Sequence, residues 1–169
     1  MSQPSYFAPP HTTVTYLSSP HVPTVVRLAK DVAPDGMPAI FDETFSALVP
    51  ALAEQGIEIA GPAFSLHHRM PGATMTFEVG MPVAAPLDGE LEAGGIIFVP
   101  SQLPAAEVAT ISHLGGYDGL GEAWGAMMQQ VAADGRQPAL PFWEVYVTEP
   151  SPDMDPATLR TDLVLPYES

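Results

Sequence analysis

The sequence predicts an α+β domain in which one strand-helix-strand-strand unit is used twice. Apolar residues switch between a two-residue and a helical period in the same order in both halves. A constant offset superposes the first helix on the second, and the glycines and prolines that end the elements obey it too. At 169 residues, 46% hydrophobic and 15% charged, the chain is large enough to bury a core without disulfides or metal. Its 20 prolines and 14 glycines divide that core among short elements.

In the first half, Val25, Val26 and Leu28 open a strand from Thr24. Met37 to Gln55 then places Ile40, Phe41, Phe45, Leu48, Val49 and Leu52 at helical spacing. Gly56 stands where a left-handed C-terminal cap would end the helix. After Gly61-Pro62, the segment Ala63 to Arg69, a Met70-Pro71-Gly72 turn and the segment Thr74 to Val83 form a predicted hairpin. Its second strand alternates Met75, Phe77, Val79 and Met81 against Thr74, Thr76, Glu78 and Gly80. An acidic loop, Ala84 to Gly95, precedes a short strand at Ile96 to Val99.

The second half repeats the order: strand Glu107 to His113, a glycine-rich turn, helix Tyr117 to Ala133, strand Phe142 to Thr148, a proline-acidic loop, and strand Leu159 to Leu165. Adding 79 carries Phe41 to Leu120, Phe45 to Trp124, Leu48 to Met127, Leu52 to Val131 and Gly56 to Gly135. The same shift takes Pro62 to Pro141 and Phe64 to Trp143. A longer second loop raises it to 84, which takes Val79 to Leu163, Met81 to Leu165 and Pro82 to Pro166. The expected organisation is a partly irregular N-terminal tail over residues 1–20 and one domain over 21–169, with repeats at about 24–83 and 105–167.

Composition excludes several classes of function. With no cysteine there is neither a disulfide framework nor a thiolate metal site, which fits a reducing compartment. The start is polar and proline-rich, without the features of a secretion signal, and no run approaches the length of a spanning helix, so the expected location is cytoplasmic, away from membranes. Five Lys+Arg against 20 Asp+Glu give a formal charge of -15, which repels phosphate backbones and argues against direct nucleic-acid binding. The histidines, at 11, 21, 67, 68 and 113, show no metal-ligating helical pair, and no metal or other cofactor is expected. Gly119 and Gly121 open the second helix, but Trp124 stands where a dinucleotide fingerprint needs its third glycine. A Gly-x-Ser-x-Gly elbow is absent.

Strand alternation puts Phe142, Glu144 and Tyr146 on one face and Trp143, Val145 and Val147 on the other, the latter expected to lie under the helix. A carboxylate between two aromatics suits a cation, though glutamate is also common on a solvated sheet face. By the repeat, Ser65 and His67 occupy the places of Glu144 and Tyr146. Glu78 and its counterpart Asp162 are candidates for the same face. Trp124, Met75, Met81, Met127 and Met128 read as core, and Tyr117 as a residue of the pocket rim.

Several segments together resemble the GyrI-like domain, the ligand-binding half of multidrug-sensing transcription activators. They are His113-Leu114-Gly115-Gly116-Tyr117-Asp118-Gly119-Leu120, Ala123-Trp124, Phe142-Trp143-Glu144-Val145-Tyr146, Arg160-Thr161-Asp162 with Pro166, and in the first half Gly61-Pro62, Phe64 and Phe77-Glu78-Val79-Gly80-Met81-Pro82-Val83. The resemblance spans roughly Val25 to Pro166. It departs from the family where Gly-Gly-Tyr replaces Gly-Pro-Tyr after His113, and where Leu163-Val164-Leu165-Pro166 replaces a more aromatic ending.

The resemblance implies a curved antiparallel sheet with two helices on one face and, on the other, a cleft between the repeats for lipophilic, often cationic, molecules. It makes Glu144 the ligand-binding glutamate, with Phe142, Tyr146, Ser65, His67, Glu78 and Tyr117 as further ligand-binding candidates. Three functions follow as expectations. The first is a stand-alone receptor or sequestering protein for a small lipophilic cation. The second is a hydrolase that opens strained cyclopropane-type electrophiles with Glu144 and Tyr146 as catalytic residues. The third is an inhibitor of a protein partner such as DNA gyrase. The helices and caps repeat while the Glu144 and Tyr146 positions do not, so function is expected where the repeat breaks.

Overall fold

The computed structural model describes residues 12–69, 73–116, 119–147, 155 and 159–168. In chain order the elements are β1 (Thr15–Ser19), β2 (Val22–Val32), α1 (Met37–Glu54), β3 (Phe64–His67), β4 (Met75–Pro82), β5 (Leu91–Ala93), β6 (Ile96–Leu103), β7 (Ala106–Leu114), α2 (Leu120–Ala133), β8 (Gln137–Pro138), β9 (Phe142–Tyr146) and β10 (Arg160–Glu168). The fold is α+β, and its strands pair antiparallel. The described residues divide into two compact units, one within His21–Pro104 and the other formed by those up to Pro20 together with those from Ala105 onward. The predicted turn at Met70-Pro71-Gly72 and most of the proline-acidic loop lie outside the described residues.

Within the first-repeat unit the strand order is β3-β4-β2-β6-β5. Helix α1 buries Leu48 and Leu52 against Val25, Val83 and Phe98. Its N-terminal half lays Ile40, Phe41 and Phe45 over Ala29, Phe77 and Val79. Within the second-repeat unit the order is β9-β10-β7-β1, with β8 on the far end of β10. There α2 buries Met127 and Val131 against Ala109, Phe142, Leu163 and Leu165. The methionines pack as the sequence predicts: Met127 is buried, while Met75, Met81 and Met128 border the cores.

The offsets read from the sequence hold in the hydrogen-bonded registers. Ser65 faces Val79 and His67 faces Phe77 across β3 and β4, as Glu144 faces Leu163 and Tyr146 faces Thr161 across β9 and β10. An offset of 84 maps the β2–β4 pairing onto β7–β10, from Thr24 with Pro82 (Val108 with Pro166) to Ala29 with Phe77 (His113 with Thr161). Both helices end alike. Gly56 and Gly135 take positive φ of 69° and 79°, and the next amides, Ile57 and Arg136, donate back to the Leu52 and Val131 carbonyls at 2.9 and 3.1 Å.

The same arithmetic accounts for a strand that the sequence leaves in an irregular tail. Thr15–Ser19 pairs with β7 as Val99–Leu103 pairs with β2, so β1 is the counterpart of β6. In one unit this strand follows the hairpin, whereas in the other it precedes the whole repeat. Five residues bounded by a proline carry too little periodicity to show this. Tyr16 anchors β1: its hydroxyl donates to the Asp134 carboxylate and the Arg136 guanidinium lies 3.8 Å from its ring centroid.

Gly80 is required by close packing. A Cβ added there would lie 1.9 Å from the Val25 carbonyl oxygen and 2.8 Å from the Val26 Cα, both backbone atoms that cannot swing aside. Gly80→Ala is expected to cost about 2–3 kcal/mol, read as a lower urea midpoint. An unchanged midpoint would contradict the packing described.

Candidate functional site

All five residues of β9 are buried. Alternation groups Phe142, Glu144 and Tyr146 as the sequence predicts, but the sides are exchanged. Phe142 belongs to the core under α2, and its ring centroid lies 4.7 Å from that of Trp124 on the helix. Glu144 and Tyr146 follow it on the helix side, and Trp143 and Val145 turn the other way. A two-residue period tells which side chains share a face. Where both faces are buried, hydrophobicity cannot tell which face carries the helix.

The Glu144 side chain therefore sits beneath α2, 9% exposed. Its Oε2 accepts a hydrogen bond from the Trp124 indole Nε1 at 2.6 Å, and its Oε1 accepts one from the Tyr146 hydroxyl at 2.8 Å. Burial raises the carboxyl pKa, while these two hydrogen bonds and the charge of His113 pull it down, and the net direction is upward. Among the described residues its two hydrogen-bond donors are both uncharged, Trp124 and Tyr146. His113 stands two strands away in the same row as Thr161 and Tyr146, and its Nε2 donates to the Gly116 carbonyl at 2.9 Å.

The model for the GyrI-like small molecule binding domain matches residues 25–168. The chain belongs to the GyrI-like family. Among curated proteins no sequence match is found. Solved structures share the fold: the C-terminal domain of EcmrR at 21% identity and TM-score 0.73, covering 93% of this chain and 98% of that one; SAV2435 bound to tetraphenylphosphonium at 8% and 0.65, covering 94% and 95%; and a hydrolase from Listeria innocua at 11% and 0.63, covering 96% and 95%.

In the first-repeat unit of this GyrI-like chain, Ser65 and His67 hold the equivalent places beneath α1. Both are buried, and the Ser65 hydroxyl and His67 Nε2 share a hydrogen bond at 3.0 Å. The imidazole stacks on Phe77 with centroids 5.2 Å apart, and Phe77 meets Phe41 edge-on. Burial, assisted by the charge of His68, lowers the His67 pKa to about 4, so the ring is neutral near pH 7. One counterpart is an acid held by two uncharged donors, and the other is a neutral pair packed among rings.

Glu78 pairs in register with Leu66, which places it on the face away from Ser65, His67 and α1, where it accepts hydrogen bonds from His68 and Ser101. Its counterpart Asp162 is likewise on the far side from Glu144. There Asp162 takes both arms of Arg160 at 2.9 and 3.0 Å and the Ser112 hydroxyl at 2.7 Å, an ion pair bound within the sheet. Tyr117 lies outside the described residues. Among the described residues no acidic or histidine cluster could hold a metal ion, and no helix is long and apolar enough to cross a membrane.

The sequence assigns Trp124 to packing, and it does pack on Phe142. It also supplies a donor to Glu144. The available signal is the repeat itself: Phe45 becomes Trp124 in the same unit where Ser65 becomes Glu144, and the indole N–H is what that exchange adds. Trp124→Phe is expected to raise the Glu144 pKa further, because it removes a hydrogen bond that favours the ionised form. Carbon-detected NMR titration of the Glu144 carboxyl measures this, and an unchanged or lower pKa would contradict the assignment.

Proposed function

We propose that this GyrI-like chain binds a small lipophilic organic cation, with the Glu144 carboxylate as its counter-charge and Trp124, Phe142 and Tyr146 as its aromatic surround. The observation that carries the proposal is Glu144 itself, a buried carboxyl with raised pKa and two donors, neither of them cationic. An arriving cation supplies the missing charge, and ring faces add their own attraction in a desolvated setting. The formal charge of -15 favours the approach of cations over long range. The relative SAV2435, bound to tetraphenylphosphonium, is consistent with such a ligand.

A second reading has support of its own. A carboxylate with raised pKa is suited to general-base work, and the Tyr146 hydroxyl lies 2.8 Å from it. In this reading Glu144 takes a proton from water as the water attacks a strained cyclopropane-type carbon, and Tyr146 polarises the electrophile's carbonyl. The ring carbon–carbon bond breaks toward that carbonyl, and the resulting enolate carbon takes the proton that Glu144 removed from water, which returns Glu144 to its starting state. Incubation with such an electrophile separates the readings: ring-opened product that Glu144→Gln fails to form supports the hydrolase, and none supports the receptor.

For the receptor, calorimetry compares tetraphenylphosphonium with its neutral relative triphenylphosphine oxide. Glu144→Gln is expected to weaken the cation by at least about thirtyfold, about 2 kcal/mol, while the neutral compound changes little. Equal losses for both would remove the electrostatic account.

A further inference from the structure

The row of side chains next to Glu144 contains a hydroxyl left without a partner among the described residues. Thr161 pairs in register with Tyr146 on one side and His113 on the other, so its side chain stands on the α2 face beside the Tyr146 ring. It is fully buried, and its Oγ1 has no hydrogen-bond partner there. A buried hydroxyl left unpaired costs roughly 1–3 kcal/mol. Two other threonine hydroxyls lack partners among the described residues, Thr24 and Thr110, and both lie on the sheet faces turned away from α1 and α2. Thr161 is the one of the three that shares a face with Glu144.

The repeat shows what the fold places there when no hydroxyl is wanted. The counterpart of Thr161 is Phe77, which stacks on His67 and meets Phe41 edge-on, so that position in the first-repeat unit is closed by rings. In the second-repeat unit the aromatic is exchanged for a small residue carrying a donor and acceptor, in the same unit that gains Glu144, Tyr146 and the Trp124 N–H. A methyl in place of the hydroxyl would pack as well and avoid the unpaired group. Its presence beside Tyr146, in the row next to Glu144, makes sense if a ligand completes it.

We infer that Thr161 is a specificity-determining residue whose hydroxyl hydrogen-bonds to a polar group on the ligand, so that the preferred ligand is an organic cation that also carries a hydroxyl, carbonyl or similar function. This rests on the cation reading of Glu144 and narrows it. A purely hydrocarbon cation satisfies Glu144 and leaves Thr161 unpaired, whereas a cation with a hydrogen-bonding group in reach satisfies both.

The test uses the full chain and calorimetry with tetraphenylphosphonium and its para- and meta-hydroxyphenyl derivatives. Wild type is expected to bind at least one hydroxylated probe roughly three- to tenfold more tightly than the parent. Thr161→Val should erase that preference and Thr161→Ser should keep it. Without ligand, Thr161→Val is expected to raise Tm by about 2–4 °C, because an unpaired hydroxyl is replaced by a methyl of the same shape. No preference in wild type, or a preference that survives Thr161→Val, overturns the inference. Loss of both probe classes in Glu144→Gln alongside either result leaves the cation reading standing, whereas full binding of all probes by Glu144→Gln removes that reading instead.

Discussion

The Glu144 carboxylate is buried beneath α2, and each of its oxygens accepts a hydrogen bond from a different aromatic residue, Trp124 on the helix and Tyr146 on its own strand. Taking a carboxylate out of water is costly unless charge or hydrogen bonds replace the lost solvation. Two neutral donors replace part of it, and the upward pKa shift records the remainder. That deficit ties the helix to the strand, selects Trp rather than Phe at position 124, and leaves a negative site in an aromatic setting. The unit is thus stabilised less than an apolar core would allow, and on the proposed cation reading a ligand that brings positive charge recovers that difference.

The two units show how one scaffold supports different chemistry. Their hairpins share register, their helices share caps, and β6 and β1 pair in equivalent register with β2 and β7. Backbone hydrogen bonding and the apolar faces of α1 and α2 fix that frame, so substitutions on the inner face change the chemistry without changing the fold. In one unit Ser65, His67 and Phe77 form a neutral packed set. In the other Glu144, Tyr146 and Thr161 form a polar one. The neutrality of His67 follows from the same burial that raises Glu144, because desolvation disfavours the charged form of acid and base alike.

Most of the fold was legible in the sequence because its signals are local and occur twice. The spacing of Phe45, Leu48 and Leu52 and of Trp124, Met127 and Val131 marks the helices, and Gly56 and Gly135 mark their ends. Strand β1 was not legible, because five residues gain their meaning only from pairing with a strand some ninety residues later. The grouping of Phe142, Glu144 and Tyr146 was legible from alternation. Which face they occupy was not, because β9 is buried on both sides and only three-dimensional contacts with α2, such as those of Trp124 with Phe142 and Glu144, decide it. Glu78 and, through the repeat, its counterpart Asp162 were candidates for the same face, and register sends them to the opposite one, where local partners hold them. The Trp124 N–H and the Thr161 hydroxyl depend on three-dimensional neighbours that no spacing rule encodes.

On the proposed cation reading, a bound cation holds the buried Glu144 ionised and displaces any proton it carries. In mildly acidic buffer an elevated pKa leaves a fraction of Glu144 protonated, and a cation that requires the ionised form must release that proton. Calorimetry of tetraphenylphosphonium binding in buffers of differing ionisation enthalpy counts the protons released. Wild type is predicted to release a fraction of a proton that shrinks toward zero as pH rises above the Glu144 pKa, with none released by Glu144→Gln. Binding without proton release at any acidic pH, or equal release from Glu144→Gln, would contradict the account.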